Sequence, residues 1–176
     1  MTNDLYSRDK FVGVFPMDLL PTKQVKQTTR PFCFIVNSAP SSSQGEHWLA
    51  VHIDMHGQGE LFDSYGHPAD FYDQRLEAFL DKNCIGHSFN ARELQTLWSD
   101  VCGQFCLYYL LHRCREIPAN NIIQQFSKSK VVNDHMVDGF IQKHFPSVLK
   151  IHQNTLTRML RNKQQLSHAR RRCCNR

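Results

Sequence analysis

An α+β domain is the fold class that this sequence predicts, and three observations predict it. Short β-rich segments gather between residues 32 and 63, helical spacing of apolar residues dominates from Pro68 onward, and 176 residues suffice for one compact core. A composition of 41% hydrophobic and 21% charged residues is that of an ordinary globular chain.

The first 30 residues mix polar stretches with short apolar patches, of which Phe11-Val12-Gly13-Val14-Phe15-Pro16 is the most regular. Phe32 to Asn37, FCFIVN, predicts a buried strand because it is short, β-rich and begins after Pro31. APSSSQG, residues 39–45, is a loop by composition. Trp48 to Ile53, WLAVHI, and Gly59 to Asp63, GELFD, predict two more strands. The turn-forming MHGQG between them makes an antiparallel hairpin the simplest pairing.

Pro68 and Asp70 open a helix across FYDQRLEAFLDK, residues 71–82, with Phe71, Leu76, Phe79 and Leu80 as its apolar stripe. The polar segment from Asn83 to Arg92 reads as a connection. DVCGQFCLYYLLHRC, residues 100–114, follows. Cys102, Phe105, Cys106, Tyr109 and Leu110 share one helical face, while Leu107, Tyr108 and Leu111 cover the other. A helix apolar nearly all round is central and buried. Ser99 or Asp100 stands where a cap is needed, and Pro118 where the helix must stop. Further helices are predicted over Asn120–Lys128, Asp134–Phe145 and Lys150–Leu166. There is no internal repeat, and residues 1–176 read as one domain with a basic helical segment over about 147–176.

The net charge of +5 hides an asymmetry: after Asp138 there is no acid but nine lysines and arginines, leaving the preceding residues at −4. Such a tail is an electrostatic footprint for polyanions such as DNA. The longest strongly apolar runs, such as Phe32 to Val36, are too short to span a bilayer, and no charged-then-apolar leader opens the chain. The expectation is a protein with no membrane partner, working inside a cell or a particle assembled there. Seven cysteines, odd in number and irregular in spacing, point to free thiols in a reducing compartment.

Two groups of residues could carry chemistry. If strand 48–53 pairs with strand 59–63 across a turn near Met55, His47 faces Asp63 with Cβ atoms roughly 5 Å apart. That arrangement fixes an imidazole's tautomer and stabilises its protonated form. Cys102, in the first turn of the apolar helix, meets the positive end of the helix dipole, which favours thiolate over thiol. Gly103 beside it permits close approach of another backbone or a substrate. Gln95 offers an amide that, with the Cys102 N–H, could hold an oxyanion. Packing is the competing use of these cysteines, and is the one expected for Cys106 and Cys114. A zinc site is the other competitor, but no C-x-x-C pair exists and Cys114 is rotated away from Cys102 and Cys106; no metal is expected.

The order His-Trp, an acid ending the next strand, Gln, then Cys-Gly opening a buried helix resembles the adenovirus protease (adenain) family, related to the SUMO-deconjugating cysteine proteases. The matching pieces are YSRDKFVGVFP, FIVNSAPSSSQGEHW with LAVHID, ELFDSYG and LQTLWSDVCGQFCLYYL, covering roughly residues 5 to 115. The forms encoded by large DNA transposons and related viruses are most similar. The resemblance implies a central mixed sheet with helices around it and the nucleophile at the N-terminus of a buried helix. By position, Cys102 would be the nucleophile, His47 the general base, Asp63 its orienting acid, Gln95 an oxyanion donor, and Trp48 would pack beside His47. Asp63 is a departure, since adenovirus enzymes usually carry Glu there while the deconjugating branch carries Asp.

Cys84 stands 11 residues before Gln95, where adenovirus enzymes bond an activating viral peptide. The resemblance implies two regulators, a peptide on Cys84 and DNA on the basic tail, with no cofactor required for the chemistry. An ordinary exposed thiol is the competing reading of Cys84, and a solvated helix end without function that of the tail. It implies an endopeptidase acting on viral or transposon-encoded capsid-type precursors, in the host nucleus or the virion. An isopeptidase acting on ubiquitin-like modifiers and a non-enzymatic DNA-binding accessory protein are the alternatives.

Overall fold

A computed structural model describes residues 1–27, 29–43 and 45–146. The chain divides into two compact units, Met1–Asp138 and Gly139–Arg176. The predicted helix over Lys150–Leu166 and the basic segment after residue 147 lie outside the described residues.

The first unit is built on a five-stranded sheet in the order β1 (Phe11–Pro16), β2 (Phe32–Asn37), β3 (Trp48–Ile53), β4 (Gln58–Phe62), β5 (Gly86–Phe89). The outer pairs β1–β2 and β4–β5 are parallel and the inner pairs antiparallel, so the sheet is mixed. The helices are α1 (Thr22–Gln27), α2 (Ala69–Tyr72), α3 (Gln74–Asn83), α4 (Cys102–Arg113), α5 (Ala119–Gln124) and α6 (Lys130–His144). The α+β class expected from the sequence is the architecture observed.

Both faces of the central strands are covered, which is why FCFIV is continuously apolar rather than alternating. Phe32, Phe34, Val36, Leu49, Val51 and Ile53 join Leu76, Phe79 and Leu80 of α3 in one buried cluster. Phe34 and Phe79 meet edge-to-face at 5.5 Å. On the other face, Tyr109 of α4 stacks on Phe62 at 4.4 Å, and Cys106 Sγ donates to Trp48 O at 3.2 Å. Helix α4 is thus central, as its all-round apolarity requires.

Several details differ from the sequence reading. The helix expected over residues 71–82 is broken at Asp73, whose extended backbone (φ −165°, ψ 132°) ends α2, while its side chain caps α3 by accepting from Arg75 N. Phe71, assigned to the apolar stripe, consequently lies before the break and is exposed. The segment 83–92 contains β5, which the polar composition concealed. Helix α4 ends at Arg113 rather than running to Pro118: Glu116 adopts a left-handed φ of 63°, and Pro118 instead opens α5. Helices α5 and α6 each begin earlier than predicted.

The hairpin register also differs. Ala50 pairs with Phe62 and Ile53 with Gly59, which centres the turn on His56 rather than Met55. Asp54 stabilises this turn by accepting from the N–H groups of His56 and Gln58, both at 2.8 Å, and Gly57 supplies the positive φ of 85°.

Candidate active site

His47 immediately precedes β3 and Asp63 immediately follows β4. Continuing the observed register makes them diagonal rather than direct neighbours, a separation that long side chains bridge. They do meet: His47 Nε2 lies 2.7 Å from Asp63 Oδ1, with 7% of His47 and none of Asp63 exposed. The two-residue shift brings Tyr65 to the position facing His47, and the two rings stack with centroids 4.6 Å apart. Tyr72 of α2 stacks on the same imidazole at 5.6 Å.

Asp63 is held from every side. Its Oδ1 accepts from Tyr65 N–H at 3.0 Å, and its Oδ2 from His67 N–H and Tyr72 O–H, both at 2.8 Å. Asn90 fixes the backbone of the same residue, accepting from Asp63 N and donating to Asp63 O at 2.8 and 2.6 Å. Burial works to raise the carboxyl pKa, but His47 and the two N–H groups outweigh it and hold the carboxyl below the ordinary range. Burial likewise opposes charge on the ring. Asp63 and Cys102 more than offset this, and His47 is pushed up to about 9.

Cys102 is the first residue of α4 and is 8% exposed. The cap expected from Ser99 or Asp100 is not there: Val101 occupies the N-cap with no side-chain hydrogen bond. The leading N–H groups of α4 are therefore not claimed by a capping side chain. Because Nε2 of His47 is committed to Asp63, Nδ1 is the nitrogen left to serve a sulfur. Trp48 lies against the start of α4, its Cδ1 3.7 Å from where a Cβ on Gly103 would stand.

Gln95 is completely buried and bound at both ends of its amide. Oε1 accepts from Ser64 Oγ at 2.6 Å, while Nε2 donates to Ser99 O and Ser99 Oγ, both at 3.0 Å. Gly66, at φ 78°, allows this segment to approach: a Cβ there would fall 2.8 Å from the backbone of Arg92. Cys84 is half-buried against Gly59 of β4, and burial pushes its thiol up to about 11. Cys106 and Cys114 are buried, as packing residues should be.

The structure thus assembles His47 and Asp63 and sets Cys102 beside them, with Gln95 in the loop that leads into α4. Tyr65, Tyr72 and Asn90 were missed by the sequence reading. A register two residues along would have found Tyr65; nothing in the local sequence signals Asn90. Among the described residues, one group of potential metal donors converges, Glu77, Asp81 and His87 on α3 and β5, and none of the site residues belongs to it.

No protein-family model matches the chain, and no curated protein matches it significantly. Solved structures similar to it include the ASFV pS273R protease, with 21% identity, a TM-score of 0.39, and coverage of 61% of this chain and 44% of that one. ChlaDub1 from Chlamydia trachomatis is similar at 18% identity and a TM-score of 0.46, over 69% of this chain and 63% of its own. AvrA, solved with IP6 and CoA, is similar at 21% identity and a TM-score of 0.42, over 66% and 48%. The matched part of the chain spans between 44% and 63% of the length of these proteins. At such distances the functional reading rests on the site itself.

Proposed function

We propose that the protein is a cysteine endopeptidase that cleaves capsid-type precursor proteins through a thioester on Cys102. The observation that carries this reading is the buried 2.7 Å bond between His47 and Asp63 beside a cysteine at an uncapped helix start.

In the proposed reaction His47 takes the thiol proton, and Asp63 stabilises the imidazolium that results. The sulfur attacks the peptide carbonyl carbon, and the displaced electron pair resides on oxygen. The leading N–H groups of α4 hold that charge, with a Gln95 amide hydrogen transferred to it from Ser99 Oγ. Collapse breaks the C–N bond as His47 protonates the departing amine. Water, deprotonated by His47, then opens the thioester and restores the thiol.

An isopeptidase acting on ubiquitin-like modifiers would use the same groups, and an aspartate at position 63 is the feature that favours it. Acceleration by DNA on the basic segment, and by a peptide bonded to Cys84, extends the main reading; rate enhancement by DNA that fades with salt is the test of the first.

Purified chain should release defined fragments from capsid-type precursors, and Cys102→Ala should release none. Undiminished cutting by Cys102→Ala overturns the reading. Turnover of modifier conjugates without any cutting of precursors transfers the assignment to the isopeptidase.

A further inference from the structure

Leu97 and Trp98 are 75% and 83% exposed, and both stand between Gln95 and Cys102. Apolar side chains on a loose loop can collapse onto the protein surface. This loop is tied down. Leu94 and Gln95 both donate backbone N–H to Ser64 O, at 2.8 and 3.1 Å. Asn133 Nδ2 donates to Leu94 O at 3.0 Å, and Thr96 Oγ1 to Asp134 Oδ2 at 2.6 Å. Leu94, Gln95 and Thr96 are buried, so a fixed backbone displays the next two side chains to solvent.

The geometry points to Leu97 and Trp98 as a substrate platform that receives an apolar side chain of the polypeptide cut at Cys102, within about four residues of the scissile bond. This inference rests on the peptidase reading of Cys102. Its reach follows from chain length: four peptide units between Trp98 and Cys102 span at most about 14 Å, the length of about four residues of extended substrate. Its chemistry follows from the pair, since a rigidly presented tryptophan with an aliphatic neighbour is the kind of preordered anchor on which polypeptide recognition concentrates. A transient occupant fits better than a permanent partner or a second copy, because anything seated lastingly beside Cys102 would obstruct access to the thiol. The platform also shares a backbone with Gln95 and Cys102, so substrate binding there bears directly on the reacting groups.

The test uses the full chain, wild type and Trp98→Ala, on peptides carrying Leu or Ser at each position within that reach of the cleaved bond. Alkylation of Cys102 by chloroacetamide, too small to need the platform, is followed in parallel. Wild type should prefer Leu at one or more positions by roughly tenfold or more in kcat/KM, the scale expected of one apolar contact. Trp98→Ala should lose most of that preference, chiefly through KM, with Cys102 alkylation unchanged, and Trp98→Phe should keep it. A wild type without such a preference overturns the inference. So does a Trp98→Ala chain that keeps it or slows Leu and Ser peptides equally. A wild type that neither alkylates at Cys102 nor cuts any peptide overturns the peptidase reading itself, and the platform with it.

Discussion

The β3–β4 pair carries an imidazole–carboxylate contact at each end, and the two ends differ in what surrounds them. At one end His47 meets Asp63 at 2.7 Å; at the other His52 Nδ1 stands 3.4 Å from Glu60 Oε2. Both histidines are buried. The difference lies in the third group. Glu60 is claimed by the Arg113 guanidinium, with contacts of 2.6 and 3.0 Å, and by Tyr109 O–H at 2.9 Å. Among the described residues no lysine or arginine pairs with Asp63, and His47 is the side chain it meets that can carry a positive charge. Burial would raise Glu60, but His52 and Arg113 drive it down to about 2. At the other end the same balance leaves a ring held up at about 9 beside a cysteine. An acid–imidazole pair becomes a candidate catalytic device when no arginine or lysine neutralises its carboxylate and a nucleophile adjoins it.

The largest expected contrast is between His47→Ala and His52→Ala. The first should lower peptidase turnover by roughly 10²- to 10⁴-fold, because the sulfur loses its proton acceptor. The second should leave turnover per folded molecule near wild type. Equal losses from both variants would erase the distinction between the two ends. Asp63→Asn should follow, slowing turnover on the order of a hundredfold while the ring keeps its two tyrosine neighbours. Glu60→Gln should instead cost about 3 kcal/mol of unfolding free energy, because it leaves the largely buried Arg113 without its anion. Denaturant titration and a turnover assay on the same samples separate these outcomes.

Smaller effects sharpen the comparison further. A His47 pKa raised from 6.5 to about 9 stabilises the fold fully below pH 6.5, and that contribution is lost as pH climbs through about 9. Unfolding of wild type and His47→Gln should therefore converge across that window. Glu60, lowered from 4.5 to about 2, contributes above pH 4.5 and loses its contribution as pH falls toward 2. Tyr72→Phe should have the least effect, about 1 kcal/mol and a few-fold in rate, since Asp63 Oδ2 keeps the His67 N–H. A Tyr72→Phe loss as large as that of Asp63→Asn would show that the tyrosine does more than orient the carboxylate.

How much of this could be read from the residues depends on how local the signal is. The strands at Phe32, Trp48 and Gln58 are legible because continuous or alternating apolar runs end in turn-forming residues. The place of Cys102 is legible because the apolar helix starts there. The pairing of His47 with Asp63 survives a register two residues off, since strand-end side chains reach diagonally. β5 is hidden because GHSF owes its strand conformation to a parallel ladder with β4, not to its own composition. The break at Asp73 is hidden because the spacing of Phe71, Leu76 and Phe79 suits one helix as well as two. The role of Asn90, 27 residues from Asp63, depends on tertiary contact alone.

The decisive measurement for the His47–Asp63 pair is which sulfur a limiting amount of peptide-like electrophile labels, in wild type, His47→Ala and His52→Ala. Exposure alone would favour the half-buried Cys84 over the 8% exposed Cys102. The prediction is that Cys102 is labelled ahead of Cys84 in wild type and in His52→Ala, and that this selectivity vanishes in His47→Ala. Labelling led by Cys84 in wild type, or selectivity for Cys102 that survives loss of the His47 ring, would contradict it.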